Sequence, residues 1–143
     1  SADIKRYQRR LSGPLLDRID LHFLVNRVAS ADLIPGNDVL EKSNLIRERV
    51  ILARQRQLAR FKNNNFSLNS DIDSRLIRKY CYLSSEVEDI LQAASNKLDL
   101  SARAYFKIIK VARTIADLTG SYNINAEHIL EAIKYRNRIF GEL

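Results

Sequence analysis

Four glycines, two prolines, one cysteine and no methionine or tryptophan among 143 residues leave this chain without the parts that several architectures need. With so little glycine and proline, an all-β design built on many tight turns is disfavoured and helices are favoured. The single thiol, Cys81, cannot form an internal disulfide, so the fold does not depend on an oxidising compartment and a buried, inert thiol is expected. No apolar run approaches the ~20 residues that span a bilayer, and no signal-peptide pattern precedes the first segment with folding character, so a soluble, cytoplasmic protein without membrane partners is expected. Lacking an initiator and opening on Ser1-Ala2-Asp3, the chain reads as a piece of a longer protein.

The same scarcity removes most catalytic chemistries. One cysteine, two widely separated histidines and no Gly-x-Ser-x-Gly leave no nucleophilic triad. His22 and His128 have no second His or Cys at ligand spacing, so structural or surface roles are expected and no metal site is assigned. There is no Gly-x-x-x-x-Gly-Lys-Ser/Thr loop to cradle a phosphate, and the chain is not expected to hydrolyse a nucleotide on its own.

What is present is mostly helical pattern. Ile4 to Arg10 is ambiguous between a helical turn and an extended arm, and Ser12-Gly13-Pro14 is a turn. Ile19, Leu21, Phe23 and Val25 then alternate with Asp20 and His22, the period of a half-buried strand, and it is the one convincing strand pattern. A lone strand cannot satisfy its own backbone, so its partners are expected in a sheet encoded elsewhere. Ala29 to Lys42, with Pro35-Gly36-Asn37-Asp38, reads as a loop or linker. Ser43 is placed to cap a helix reaching about Phe61, with Ile46, Val50, Ala53 and Gln57 on one side and Lys42, Arg49, Arg56 and Arg60 on another. Between residues 42 and 62 seven cations stand against Glu48 alone, so most of the net charge of +7 lies there. Such a block marks either nucleic-acid contact or a solvated helix face.

Four helices follow. Asn69 or Ser70 is a candidate cap for a short one bearing Ile72, Leu76, Ile77 and Tyr80, and Ser85 with Glu88 has the spacing of a capping box ahead of the stripe Val87, Ile90, Leu91, Ala94 and Leu98. Ser101 and Gly120 bracket the most regular helix, whose Tyr105, Ile108, Ile109, Ala112, Ile115 and Ala116 recur at helical spacing, and Asn125 caps a last one bearing Ile129, Ala132, Ile133 and Arg136. In the Ser101 helix the first turn carries Arg103, a cation where the helix dipole favours an anion. That costs about a few tenths of a kcal/mol unless a phosphate or a carboxylate such as Asp99 meets it. The fold class is therefore mainly α: a helical bundle preceded by a long basic helix and one short strand.

Two long motifs carry a resemblance. Arg6-Tyr7-Gln8-Arg9-Arg10-Leu11-Ser12-Gly13-Pro14-Leu15-Leu16-Asp17-Arg18-Ile19-Asp20-Leu21-His22 comes first. Leu100-Ser101-Ala102-Arg103-Ala104-Tyr105 with Lys110-Val111-Ala112-Arg113-Thr114-Ile115-Ala116-Asp117-Leu118 comes second. In this order they resemble the C-terminal part of the magnesium-chelatase-like AAA+ ATPases of the ComM/YifB type. The resemblance implies three parts: residues 1–28 as the end of an α/β ATPase core, 29–65 as a linker and basic connector helix, and 66–143 as a helical lid. It implies that Arg18 is an arginine finger reaching the ATP of a neighbouring subunit and that Arg103 is the second sensor, serving ATP and Mg2+ bound by the intact protein. Implied partners are the rest of the core, neighbouring subunits of a hexameric ring, and DNA moved as branched structures in recombination and transformation, which Lys42, Arg49, Arg56 and Arg60 could touch. Read from the residues alone, Arg18 between Asp17 and Asp20 is equally a local ion pair, and no aromatics interleave with the arginines of the basic helix. Two other functions stay open: a chaperone-type or magnesium-chelatase-like ATPase acting on a protein partner, and a plain helical interaction domain.

Overall fold

The computed structural model describes residues 17–23, 25, 27 and 41–136. The Ile4–Arg10 segment, the Ser12-Gly13-Pro14 turn and the Pro35-Gly36 loop lie outside the described residues. Among the described residues five α-helices make the body: α1 (Ser43–Arg60), α2 (Ile77–Tyr80), α3 (Ser85–Lys97), α4 (Ala102–Thr119) and α5 (Ala126–Lys134), with two 3₁₀ turns, Asn69–Asp71 and Ser74–Leu76, ahead of α2. None of these helices is long and apolar enough to cross a membrane.

The helix α4 is the centre of the bundle. Ala104, Ile108, Ile109, Ala112, Ile115 and Ala116 are buried along it, and α1, α2 and α5 pack against it while α3 closes on α5. Both of its ends are built as its sequence predicts. The Ser101 hydroxyl accepts from the Ala104 N–H at 3.1 Å, and Gly120, at φ +81°, closes the far end as the Ser121 N–H reaches back to the Ala116 carbonyl at 2.8 Å. The α3 helix closes in the same way without a glycine: Asp99 takes φ +47° while the Leu100 N–H bonds the Ser95 carbonyl at 3.1 Å. In α5, Asn125 and His128 form a reciprocal capping box, with the Asn125 N–H donating to His128 Nδ1 at 2.9 Å. The other ring nitrogen lies 3.2 Å from the Thr119 hydroxyl, so His128 is a structural residue that ties α5 to the end of α4.

Three local expectations give way. Ser85 is not a cap but the first residue of α3: the cap position is Ser84, whose carbonyl takes the Glu88 N–H at 2.9 Å, and no side-chain cap bond forms. The short helix after residue 69 is mostly two 3₁₀ turns, the second capped by Asp73 and not by Asn69 or Ser70. The Asn69 side chain is drawn inward, where it meets a buried carboxylate. At the start of α1 the cap position is Lys42, without a side-chain bond.

The strand is also absent. Among the described residues of the 19–25 stretch no sheet ladder forms, because nothing lies alongside to supply one. The single backbone bond is from the His22 N–H to the Tyr135 carbonyl at 2.7 Å. The alternation is inverted relative to a strand lying on a core: His22 is buried, whereas Ile19, Leu21, Phe23 and Val25 are exposed, Val25 to 89%. An apolar row turned outward is what a strand without its sheet presents.

Candidate functional site

Residues 17–20 are clamped onto the first half of α4 and the end of α5. Asp17 accepts from the Ser101 hydroxyl at 2.7 Å and from the Arg136 guanidinium at 3.1 Å, so the capping residue of α4 also anchors the segment before the apolar row. Arg136, nearly buried, gives a second bond to the Ile19 carbonyl at 2.9 Å. Lys107 holds the other side, with its ammonium 2.5 Å from both the Arg18 carbonyl and the Asp20 carboxylate.

These bonds engage Asp17 and Asp20 and leave the Arg18 side chain out. The guanidinium is exposed, and it forms no hydrogen bond or ion pair among the described residues, so the local-pair reading with Asp17 or Asp20 is not the one the fold adopts. Arg103 is likewise exposed and, among the described residues, without a partner, and Asp99 does not turn to meet it. Arg103 and Lys107 are one helical turn apart, hence on one face of α4, and Lys107 is the residue that grips the Arg18 carbonyl. The two arginines named from the sequence are thus brought to one end of one helix.

That end carries a positive partial charge from the helix dipole, two unneutralised guanidiniums and a short capping serine. The arrangement fits a phosphate group. Among the described residues no three His, Cys, Asp or Glu side chains gather as a metal-ligand set.

The basic helix divides differently from its sequence pattern. Ala53, Arg56, Gln57 and Arg60 form one seam against α4, so the arginines expected to stand on a face apart are part of the packing face. Arg60 grips the Asp117 carboxylate with both terminal nitrogens, one at 2.9 Å, and also donates to Asn69 at 3.1 Å. Asn69 donates to the same carboxylate at 2.8 Å, and Arg113 approaches it at 3.1 Å while also bonding the Ser121 and Tyr122 carbonyls at 2.8 Å each. Arg56 donates to the Asp117 main-chain carbonyl at 2.6 Å. Burial alone would push the fully enclosed Asp117 carboxyl up, but the Arg60 and Asn69 hydrogen bonds and the two guanidinium charges outweigh it and hold it below the usual range. Arg113 is likewise held below its ordinary value, chiefly by burial, with Asp117 opposing. Sequence reasoning did not find this cluster. Its only trace there was a charged pair, Arg113 and Asp117, one turn apart on the buried side of an apolar stripe.

The remaining two predicted contacts are exposed. Arg49 pairs with Glu41 at 2.9 Å in open solvent, and Lys42 is exposed at the helix start, where its side chain makes no cap bond. Ile46 and Val50, expected on the apolar side, are exposed along with Leu45, Ile51 and Leu52, because the first half of α1 extends past the end of the bundle.

Among the described residues, the bundle carries two unpaired arginines at the start of its central helix. Comparison with known proteins names its class. Residues 40–136 match the family pattern of the magnesium chelatase subunit ChlI C-terminal domain, and residues 1–33 match that of magnesium chelatase subunit ChlI. The chain belongs to this magnesium-chelatase-like AAA+ family, in its ComM/YifB type. It is 43% identical over 133 residues to competence protein ComM of Haemophilus influenzae, covering 93% of this chain and 25% of that protein. It is 42% identical over 135 residues to the uncharacterized protein YifB of Escherichia coli, covering 92% and 25%. A match of 30% over 136 residues extends to an uncharacterized protein of Mycobacterium tuberculosis, covering 95% and 27%. The chain therefore spans about a quarter of the length of these curated relatives.

Proposed function

We propose that in the intact protein this chain presents Arg18 and Arg103 to the phosphates of ATP, Arg18 as an arginine finger acting in trans and Arg103 as the second sensor. The observation that carries the reading is the Asp17–Ser101 hydrogen bond of 2.7 Å, which fastens the Arg18 segment to the helix start that bears Arg103 while both guanidiniums stay unpaired. Bound ATP with Mg2+ would supply the phosphoanhydride. The chain supplies two fixed cations, positioned before the reaction by Asp17, Lys107 and Arg136, against the charge that builds on the transferred phosphoryl oxygens. A finger of this kind contributes about 10³–10⁵ in rate, or roughly 4–7 kcal/mol of barrier.

Hydrolysis at such a site is read as driving the movement of branched DNA in recombination and transformation. Support for that comes from the family and from the relative named as a competence protein. The test is ATP turnover of the intact protein with and without branched DNA. DNA-stimulated turnover that Arg18→Ala and Arg103→Ala each abolish is expected. Wild-type turnover in either variant removes that arginine from the scheme, and turnover indifferent to DNA moves the motor to a protein partner.

A further inference from the structure

At the opposite end of α4, about 25 Å from Arg103 by helix rise, a second feature has no part in the nucleotide site. A cleft of about 460 Å³ opens between α1 and the turn after Gly120, and its lining includes Arg56, Arg60, Lys79, Arg113, Tyr82 and Tyr122 and no carboxylate. The one acid behind it, Asp117, is fully enclosed and already matched by Arg60 and Arg113. The cleft therefore keeps a surplus of positive charge. Not all of its donors are used. Arg56 gives one terminal nitrogen to the Asp117 carbonyl, while the other lies beside Gly120, where an added Cβ would come within 3.1 Å of it. Among the described residues the Lys79 ammonium makes no hydrogen bond or ion pair, resting 5.1 Å from the Tyr80 ring centre.

Two tyrosines flank these cations in the open. Tyr82 is 69% exposed and Tyr122 93%, and neither ring stacks on another aromatic or bonds through its hydroxyl among the described residues. Keeping two large rings in water runs against the hydrophobic effect, and here they border a cluster of cations whose lining holds no acid. Sequence order hides this juxtaposition, since the rings come from the loop after α2 and the turn after α4 while Arg56 and Arg60 come from α1.

We propose that this cleft is a binding site for single-stranded polynucleotide, with Arg56 and Lys79 drawing in a phosphodiester and the Tyr82 and Tyr122 rings stacking on the adjoining bases. A cavity of this size is of the order that holds one small organic molecule, so a splayed nucleotide enters it and a duplex does not. Exposed rings at the border favour a polymer that continues past the cleft over a compact anion, which would need cations alone. The inference rests on the preceding reading only in taking a nucleic acid as what the intact protein handles.

The test is fluorescence anisotropy of labelled oligo(dT), oligo(U) and duplex DNA titrated with this chain, without nucleotide. Single strands should bind more tightly than duplex, and preference between oligo(dT) and oligo(U) assigns the site to DNA or to RNA. Tyr82→Ala and Tyr122→Ala should each weaken strand binding roughly 5- to 100-fold, while Tyr122→Phe, which keeps the ring, retains it. Lys79→Ala should flatten the slope of log affinity against log salt by about 0.7, and Arg75→Ala, outside the cleft, should leave that slope as it is. Both tyrosines are exposed, so their alanine variants should melt with the parent. Absence of strand binding at low salt overturns the proposal. So does duplex bound as tightly as single strand with the tyrosine variants neutral, which makes the face a plain basic surface. Neither result touches ATP turnover, so Arg18 and Arg103 stand or fall separately.

Discussion

Asp17 and Ser101, 84 positions apart, share a 2.7 Å hydrogen bond in which the hydroxyl that caps α4 is also the donor to the Asp17 carboxylate. One small side chain thus starts the central helix and moors the segment that carries Arg18. Ser101→Ala removes both functions and should lower the stability of the chain by about 1–2 kcal/mol, the range for a lost N-cap, read by urea unfolding. Asp17→Asn keeps the cap, so it should leave most of that stability in place while reducing ATP turnover of the intact protein through a loosened Arg18.

Since Arg18 and Arg103 lie at one end of one helix, both should serve the same nucleotide, that of the neighbouring subunit. Mixing intact subunits that carry Arg18→Ala and Arg103→Ala together with subunits disabled in their own nucleotide-binding loop should restore part of the ATP turnover that neither population has alone. If Arg103 instead serves its own subunit's nucleotide, the mixture stays inactive, while mixtures made with Arg18→Ala alone recover. Neither substitution should shift the melting temperature of this chain by more than a degree or so, because both side chains are exposed and unpaired and surface changes of that kind are worth about 0.5 kcal/mol or less.

Asp117 is the buried counter-charge for Arg60 and Arg113, so Asp117→Ala leaves two enclosed guanidiniums without it. A loss of about 3–5 kcal/mol is expected, a large share of the roughly 5–15 kcal/mol of a domain of ordinary stability. The pH dependence has a definite sign. The folded carboxyl titrates below its unfolded value, so the unfolded state binds the extra proton first as acid is added. Stability from this cluster is present above the unfolded value, near pH 4, and is lost as the pH falls through the lower folded value. Urea midpoints measured downward from pH 6 should fall in that window, and the fall should be reduced in Asp117→Asn.

Cys81 is buried beneath α4, and burial raises its thiol to about 11 from 9.0. The neutral thiol is thus favoured by folding. Stability is complete below about pH 9 and declines as the pH rises toward 11, by at most about 3 kcal/mol. At pH 8 the native chain should react with a thiol reagent only as fast as it opens, and urea should accelerate the reaction steeply. Rapid labelling without denaturant would place the thiol at the surface instead.

Much of this was legible in the linear sequence because it is local. Ser101, Gly120 and Asn125 act through neighbours three to five residues away, and the α4 and α5 stripes face inward as their spacing requires. Local signals misled where a tertiary partner outbid them. Asn69 has the character of a cap, yet its amide is drawn to Asp117, 48 positions on. Residues 19–25 alternate as a strand does, but a ladder needs a second strand and none adjoins the described residues. Arg56 and Arg60 belong to a cationic run, and only the packing of α1 on α4 turns them toward Asp117.

By itself the sequence determined the helical class, the caps and core stripe of α4, the family and the two arginines worth naming, since periodicity, capping chemistry and motif order are all properties of neighbours along the chain. The tertiary structure alone decided which charges are free. Arg18 and Arg103 stay unpaired because Asp17 and Asp20 are taken by Ser101, Arg136 and Lys107, while Arg60 is neutralised by a carboxylate 57 positions away. Coulombic and hydrogen-bond partners are chosen by distance in space, which helix packing sets. For that reason the arginine of the helix start could be named from its position, but its availability to a phosphate had to be read from the fold.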